Sequence, residues 1–195
     1  MRRRMRVVAT AIAATLLLAG CSSDPLAEQY TEGSNKGYIA GDGTVTEIAE
    51  AERGEAISFS GTTESGDELA SSDFDGDVLV VNFWYAACAP CRAEAPELQE
   101  LSAEYDGNGA QFIGVNVYDQ ADTAISFNEN YGITYPSIMD VGDGAVKLAF
   151  TGTVPPKAVP TTLVLDKEGR VAARILGQLK DASILDTLIR DAIAE

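Results

Sequence analysis

Residues 78–92 read Val78-Leu79-Val80-Val81-Asn82-Phe83-Trp84-Tyr85-Ala86-Ala87-Cys88-Ala89-Pro90-Cys91-Arg92. From Val78 to Trp84 the run is aliphatic and aromatic with a single polar break at Asn82. That composition predicts a central β-strand covered on both faces. A helix is expected to begin at the cysteine motif and to run to about Tyr105, where Asp106-Gly107-Asn108-Gly109 stops it. A Cys-x-x-Cys at a strand-to-helix junction puts Cys88 at the helix N-terminus, where unsatisfied N–H groups and the helix dipole stabilise a thiolate. Cys91 lies one turn further in, within reach of a disulfide formed between Cys88 and another protein. Cys88 is therefore expected to be exposed and to attack, and Cys91 to resolve. Two buried structural cysteines, or half of a zinc site, are the competing readings. A zinc site needs further Cys or His ligands, and the chain has no histidine and three cysteines in all.

Phe112 to Val117 reads as a second buried strand and Ala121 to Tyr131 as a helix with Ala124, Phe127 and Tyr131 along one face. Strand, helix, strand in that order implies a right-handed parallel βαβ unit. Pro136 to Met139 is a short strand candidate, Ala145 to Phe150 a short helix, and Thr161 to Leu165 a strand. Asp166-Lys167-Glu168-Gly169 then turns the chain, and Arg170 to Ile175 returns antiparallel. A final amphipathic helix, capped by Asp181, is expected to bury Ile184, Leu185, Leu188 and Ala192. Before the central strand, Glu64-Ser65-Gly66-Asp67 marks the turn of an N-terminal β-hairpin. The expected fold is α/β: one central mixed sheet, βαβ then ββα, with helices on both faces.

The first 20 residues stand apart. Arg2, Arg3, Arg4 and Arg6 precede an apolar run from Val7 to Ala19, the pattern of a secretory signal. The run is shorter than the roughly 20 apolar residues that cross a bilayer. It ends in Leu18-Ala19-Gly20-Cys21, which resembles the lipobox of bacterial lipoproteins, so Cys21 is expected to become a lipidated first residue. Residues 21–50 read as that anchor followed by a flexible linker rich in Gly, Ser, Thr, Asp and Glu. One domain is expected over residues 51–195. Without the signal the chain carries 10 basic against 30 acidic residues. Such a balance argues against nucleic acid, whose phosphates need Lys and Arg. Export into an oxidising compartment makes a lone close cysteine pair one that cycles rather than one that staples a small scaffold.

Val80-Val81-Asn82-Phe83-Trp84 leading into Cys88-Ala89-Pro90-Cys91-Arg92, with Glu94 and Pro96 following, resembles the thioredoxin superfamily and most of all its TlpA/ResA-like membrane-tethered thiol:disulfide oxidoreductases. Val159-Pro160-Thr161, placed before a strand and 72 residues after Cys88, resembles the superfamily's cis-proline loop. The resemblance covers about residues 51–195 and implies a redox-active Cys88–Cys91 disulfide. It also implies a substrate-binding surface made by Trp84, Ala89, Pro90, Val159, Pro160 and Thr161. The extra length before Pro160, about Asp119 to Phe150, matches that family's inserted helix and strand. The resemblance further implies a monomer without a cofactor, exchanging electrons with a membrane redox protein and with exported proteins that carry cysteines.

Two departures matter. Asn82 stands where thioredoxins proper place a buried aspartate that manages the proton of the second cysteine. Glu94, about one helical turn beyond Cys91, is the expected substitute, with its pKa raised if it is buried. Ala87 replaces the tryptophan usual before the first cysteine. The implied activity is reduction of exported protein thiols, as in cytochrome c maturation. An oxidase that forms disulfides, and a non-catalytic binding lipoprotein of the same fold, are the alternatives. A peroxiredoxin-like reading fails because those enzymes place Thr or Ser where Tyr85 stands.

Overall fold

The apolar run from Val78 to Trp84 forms the strand around which the rest is arranged. In the computed structural model, which describes residues 44–154 and 158–195, the strands are β1 (Val45–Glu47), β2 (Ser60–Thr62), β3 (Glu68–Ala70), β4 (Val78–Trp84), β5 (Ala110–Asn116), β6 (Ser137–Met139), β7 (Thr161–Leu165) and β8 (Val171–Leu176). The helices are α1 (Ala89–Tyr105), α2 (Ala121–Tyr131), α3 (Ala145–Ala149) and α4 (Ala182–Ala194). Six strands make one mixed sheet in the order β1-β8-β7-β4-β5-β6. β4, β5 and β6 run parallel, while β7, β8 and β1 pair antiparallel with their neighbours. β2 and β3 form the expected hairpin, joined to β6 through a bridge between Thr63 and Ile138. The thioredoxin-like α/β arrangement is thus present, with α2 and β6 as the inserted helix and strand.

Chain direction and pleat decide what meets what. The crossovers from β4 to β5 and from β5 to β6 step the same way along the sheet, so their right-handedness puts α1 and α2 on one face. Side chains of a strand alternate. Val78 and Val80 pack with Leu98, Leu101 and Tyr105 of α1 and with Leu185, Leu188 and Ile189 of α4. Leu79, Val81 and Phe83 pack on the opposite face with Phe59, Phe74, Val146 of α3 and Phe150. Asn82 and Trp84 share the parity of Val80 and so belong to the face of α1. All seven residues of β4 are buried, which is why the run shows no polar alternation. Gly107 and Gly109, with φ of 70° and 89°, turn the chain out of α1 and into β5 through a conformation that side chains disfavour.

Two expectations are corrected. In α4 the buried set is Leu185, Leu188, Ile189 and Ala192; Ile184 is half-buried and Ile189 takes its place, because positions spaced i, i+3, i+4, i+7 share one stripe. The boundary between linker and domain also lies earlier than residue 50. Val45 pairs with Ile175, Thr46 with Arg174 and Glu47 with Ala173, and the Ile48 N–H donates to the Ala172 carbonyl at 2.8 Å. Three or four residues are too few for their alternation to register in a sequence; β1 is a strand because β8 offers it an edge. The segment 1–20, Cys21, the stretch on to residue 43, and Pro155-Pro156-Lys157 lie outside the described residues. Among the described residues no helix is long and apolar enough to cross a membrane.

Candidate active site

The end of β4 and the start of α1 bring the cysteines together. Cys88 is the N-cap of α1, its Sγ accepting a hydrogen bond from the Cys91 N–H at 3.3 Å, and the two sulfurs are joined in a disulfide with Cα atoms 5.2 Å apart. Pro90 occupies the first turn, where its missing N–H costs nothing. The expectation that Cys88 alone is exposed is corrected: Cys88 and Cys91 are each 3 % exposed. Cys88 packs in a cluster with Cys91 and Trp84 that Tyr85, Ala86 and Val159 help to close. The asymmetry between the sulfurs is one of surroundings. Ala87 and Ala89, beside Cys88 in the chain, are exposed. Cys91 lines a cavity of about 10 Å³ with Asn82, Trp84, Leu98, Tyr135 and Ser137, space for about one water molecule.

The loop ahead of Cys88 is held from both sides. The Ala86 N–H donates to Asp119 Oδ2 at 2.6 Å, and Arg92 donates to the Ala86 carbonyl at 3.1 Å. Asn116, at the end of β5, donates to the same Asp119 oxygen at 2.9 Å and accepts from the Tyr118 and Asp119 N–H groups. Neither Asn116 nor Asp119 was among the sequence candidates, although Asn116-Val117-Tyr118-Asp119 has the local signal of an Asx turn after a strand. The Val159–Pro160 peptide is cis, as the resemblance implies, and Val159 reaches the disulfide cluster. Trp84 and Thr161 do not serve as an open binding surface. Trp84 is 4 % exposed, its indole N–H donating to Ser137 Oγ at 3.1 Å and its ring on Phe127 at 4.4 Å. The pleat turns it inward, over Gly114, where a Cβ would collide with Ser137 Oγ and Trp84 Nε1. Thr161 is fully buried and donates to the Ala158 carbonyl.

Glu94 is 1 % exposed. One of its oxygens accepts from Asn82 Nδ2 at 2.9 Å and the other from the Leu179 N–H at 2.8 Å. Asn82 also donates to Thr162 Oγ1 at 3.0 Å, a contact set by register, since Asn82 and Thr162 are directly opposite in β4 and β7. Burial pushes the Glu94 carboxyl up to about 7; the Leu179 and Asn82 donors pull it back, and the charge of Glu97 adds to the rise. Asn82, in the place of the usual aspartate, thus carries the acid instead of being one. Tyr135, on the same cavity as Cys91, has its phenol pushed well above the usual range by burial and by Glu94, so it stays protonated. Thr162 follows the proline loop and was within reach of a strand-register argument. Leu179, in the loop after β8, carries no local signal. Among the described residues no cluster of His, Cys, Asp and Glu is suited to a metal ion.

Residues 53–174 match the AhpC/TSA family. The thiol-disulfide oxidoreductase ResA of Bacillus thuringiensis (strain Al Hakam) is 31% identical over 125 residues, which cover 64% of this chain and 69% of that protein. The ResA of Geobacillus thermodenitrificans (strain NG80-2) is 28% identical over 184 residues, covering 94% of this chain and 95% of that one. Among solved structures, a secreted thiol-disulfide isomerase from Corynebacterium glutamicum is similar with a TM-score of 0.69 at 32% identity, covering 81% of this chain and 97% of that one.

Proposed function

The chain belongs to the AhpC/TSA family and is a ResA-like thiol:disulfide oxidoreductase, and from that premise we propose that it works outside the cytoplasm, tethered to a membrane, as a reductase of cysteine pairs in exported proteins, such as those of cytochrome c maturation. The observation that carries the direction is the buried carboxyl of Glu94 one turn beyond Cys91. A strongly oxidising pair needs a well-stabilised thiolate in its reduced form. An acid near the sulfurs, in a chain without histidine, works against that stabilisation and favours the disulfide.

In the reduced protein the Cys88 thiolate attacks one sulfur of a substrate disulfide. A Cys88–substrate bond forms, the substrate bond breaks, and the second substrate sulfur leaves as a thiolate. Cys91 then gives up its proton, with Glu94 as acceptor, and its thiolate attacks Cys88. The Cys88–Cys91 bond forms and the substrate leaves fully reduced, two electrons richer. A membrane redox protein returns the pair to the dithiol, and no cofactor takes part. Equilibration of the purified domain with glutathione or dithiothreitol buffers tests the direction. The expected midpoint lies at or below roughly −220 mV, and a value near −120 mV would make the protein an oxidant.

The anchor rests on Leu18-Ala19-Gly20-Cys21, and the setting outside the cytoplasm on the preceding signal pattern and on the likeness to a secreted isomerase. Cys21→Ser is expected to move the protein from the membrane fraction to the soluble one while thiol exchange by the domain persists. Mass spectrometry of the mature N-terminus reads the same point, and a cut elsewhere or an unmodified Cys21 would overturn it.

A further inference from the structure

Three large apolar side chains are exposed among the described residues, Tyr118, Ile125 and Leu148. Single exposed apolar groups are ordinary, but Tyr118 differs from the other two in how it is held. It is 72 % exposed, yet its ring leans on Tyr85 at 5.6 Å and 48°, and Tyr85 packs against the disulfide cluster. Its N–H donates to Oδ1 of Asn116, a residue with no exposure at all. Its neighbour Asp119 grips Ala86, two residues before Cys88. An exposed aromatic ring is therefore held beside the loop that carries the attacking sulfur, its backbone pinned by Asn116 and its ring against Tyr85, which lowers the entropy lost when something stacks on it.

The charges around it narrow the occupant. The chain is formally at −16, whereas Tyr85, Ala86, Ala87, Ala89 and Pro90, the residues flanking the disulfide, are all uncharged. The two charged groups closest in the network are already engaged, Arg92 on the Ala86 carbonyl and Asp119 on the Ala86 amide and Asn116. An acidic protein repels anionic small disulfides such as that of glutathione. An aromatic patch whose adjacent carboxylate is turned onto the Ala86 and Asn116 donors accepts apolar polypeptide instead.

We propose that Tyr118, backed by Tyr85, is the specificity-determining docking platform for an aromatic or large aliphatic side chain next to the half-cystine of a polypeptide substrate. The proposal rests on the thiol-exchange reading given above. Its test uses the reduced protein and three disulfides: a dimeric peptide with Phe beside its cysteine, the same peptide with Ser there, and hydroxyethyl disulfide. The ratio of second-order rate constants, Phe peptide over Ser peptide, is expected to be roughly 3 to 10 in the wild type, the range of a single aromatic contact. It is expected to fall to about 1 in Tyr118→Ser and to be kept in Tyr118→Phe. A ratio near 1 in the wild type, or one unmoved by Tyr118→Ser, would overturn the platform. Failure of the wild type to react with hydroxyethyl disulfide would overturn the exchange activity, and the platform with it.

Discussion

Replacing Cys88 with Ser is expected to remove disulfide exchange altogether, and replacing Cys91 with Ser to arrest it half-way with substrate attached. Exposure does not separate the two sulfurs, since both are buried in the oxidised protein. Position on the helix does. Cys88 is the N-cap and receives the Cys91 N–H, and a thiolate there gains on the order of 1 kcal/mol from the helix terminus. Cys91 sits beside an inner cavity and one turn from a carboxyl that opposes its ionisation. Multiple turnover should therefore fall by at least roughly 100-fold in either variant, as for the loss of any covalent nucleophile. Only Cys91→Ser should accumulate a mixed disulfide, visible as a mass increase that reductant removes. In the reduced wild type iodoacetamide is expected to modify Cys88 first, and modification of Cys91 first would reverse the roles.

The fold was legible where one strong signal decided each element. The seven residues of β4, the Cys-x-x-Cys that opens α1 and the Asp166 to Gly169 turn each act through local chemistry that a sequence displays. Where an element depends on a neighbour, the sequence is silent. β1 has three residues and is a strand only because β8 presents an edge. The site divides in the same way. Glu94 was found from its spacing to Cys91, but its partners were not, because Asn82 meets Thr162 through strand register across 80 residues and Leu179 reaches Glu94 from a loop. Trp84 was read as a substrate contact from resemblance alone, whereas the pleat of β4 gives it the same parity as Val78 and Val80 and turns it onto Phe127. The burial of Cys88 was missed for a related reason: part of what closes over it, Val159, comes from a loop far along the chain and outside the cysteine motif.

Glu94→Gln is expected to separate the two halves of the exchange cycle. With its pKa pushed up to about 7, the carboxyl both accepts and releases a proton readily near neutral pH. When Cys91 turns on the mixed disulfide its proton must go to a base, and Gln is none. Resolution should slow by roughly 100-fold, the lower end of general-base contributions, while first attack by Cys88 changes less. The ionised carboxylate is also expected to oppose nearby thiolates, so the substitution should lower the apparent thiol pKa values. Gln should fit: a half-turn of the Asn82 amide lets its oxygen accept from the new side chain and from the Thr162 hydroxyl, while Leu179 donates to the Gln carbonyl. Stability supplies an independent reading. The folded-state pKa of about 7 lies above the ordinary glutamate value of 4.5, so folding favours the protonated form. That contribution is intact below about pH 4.5, is lost as the pH rises to about 7, and amounts to about 3 kcal/mol. Glu94→Gln, which does not ionise, should lack this part of the decline. Thiolate absorbance against pH, and urea midpoints of the oxidised proteins on either side of that window, measure both effects. Superimposable thiol titrations with equal exchange rates would leave Glu94 a structural residue, and an equal loss of stability in the two proteins would place the titrating group elsewhere.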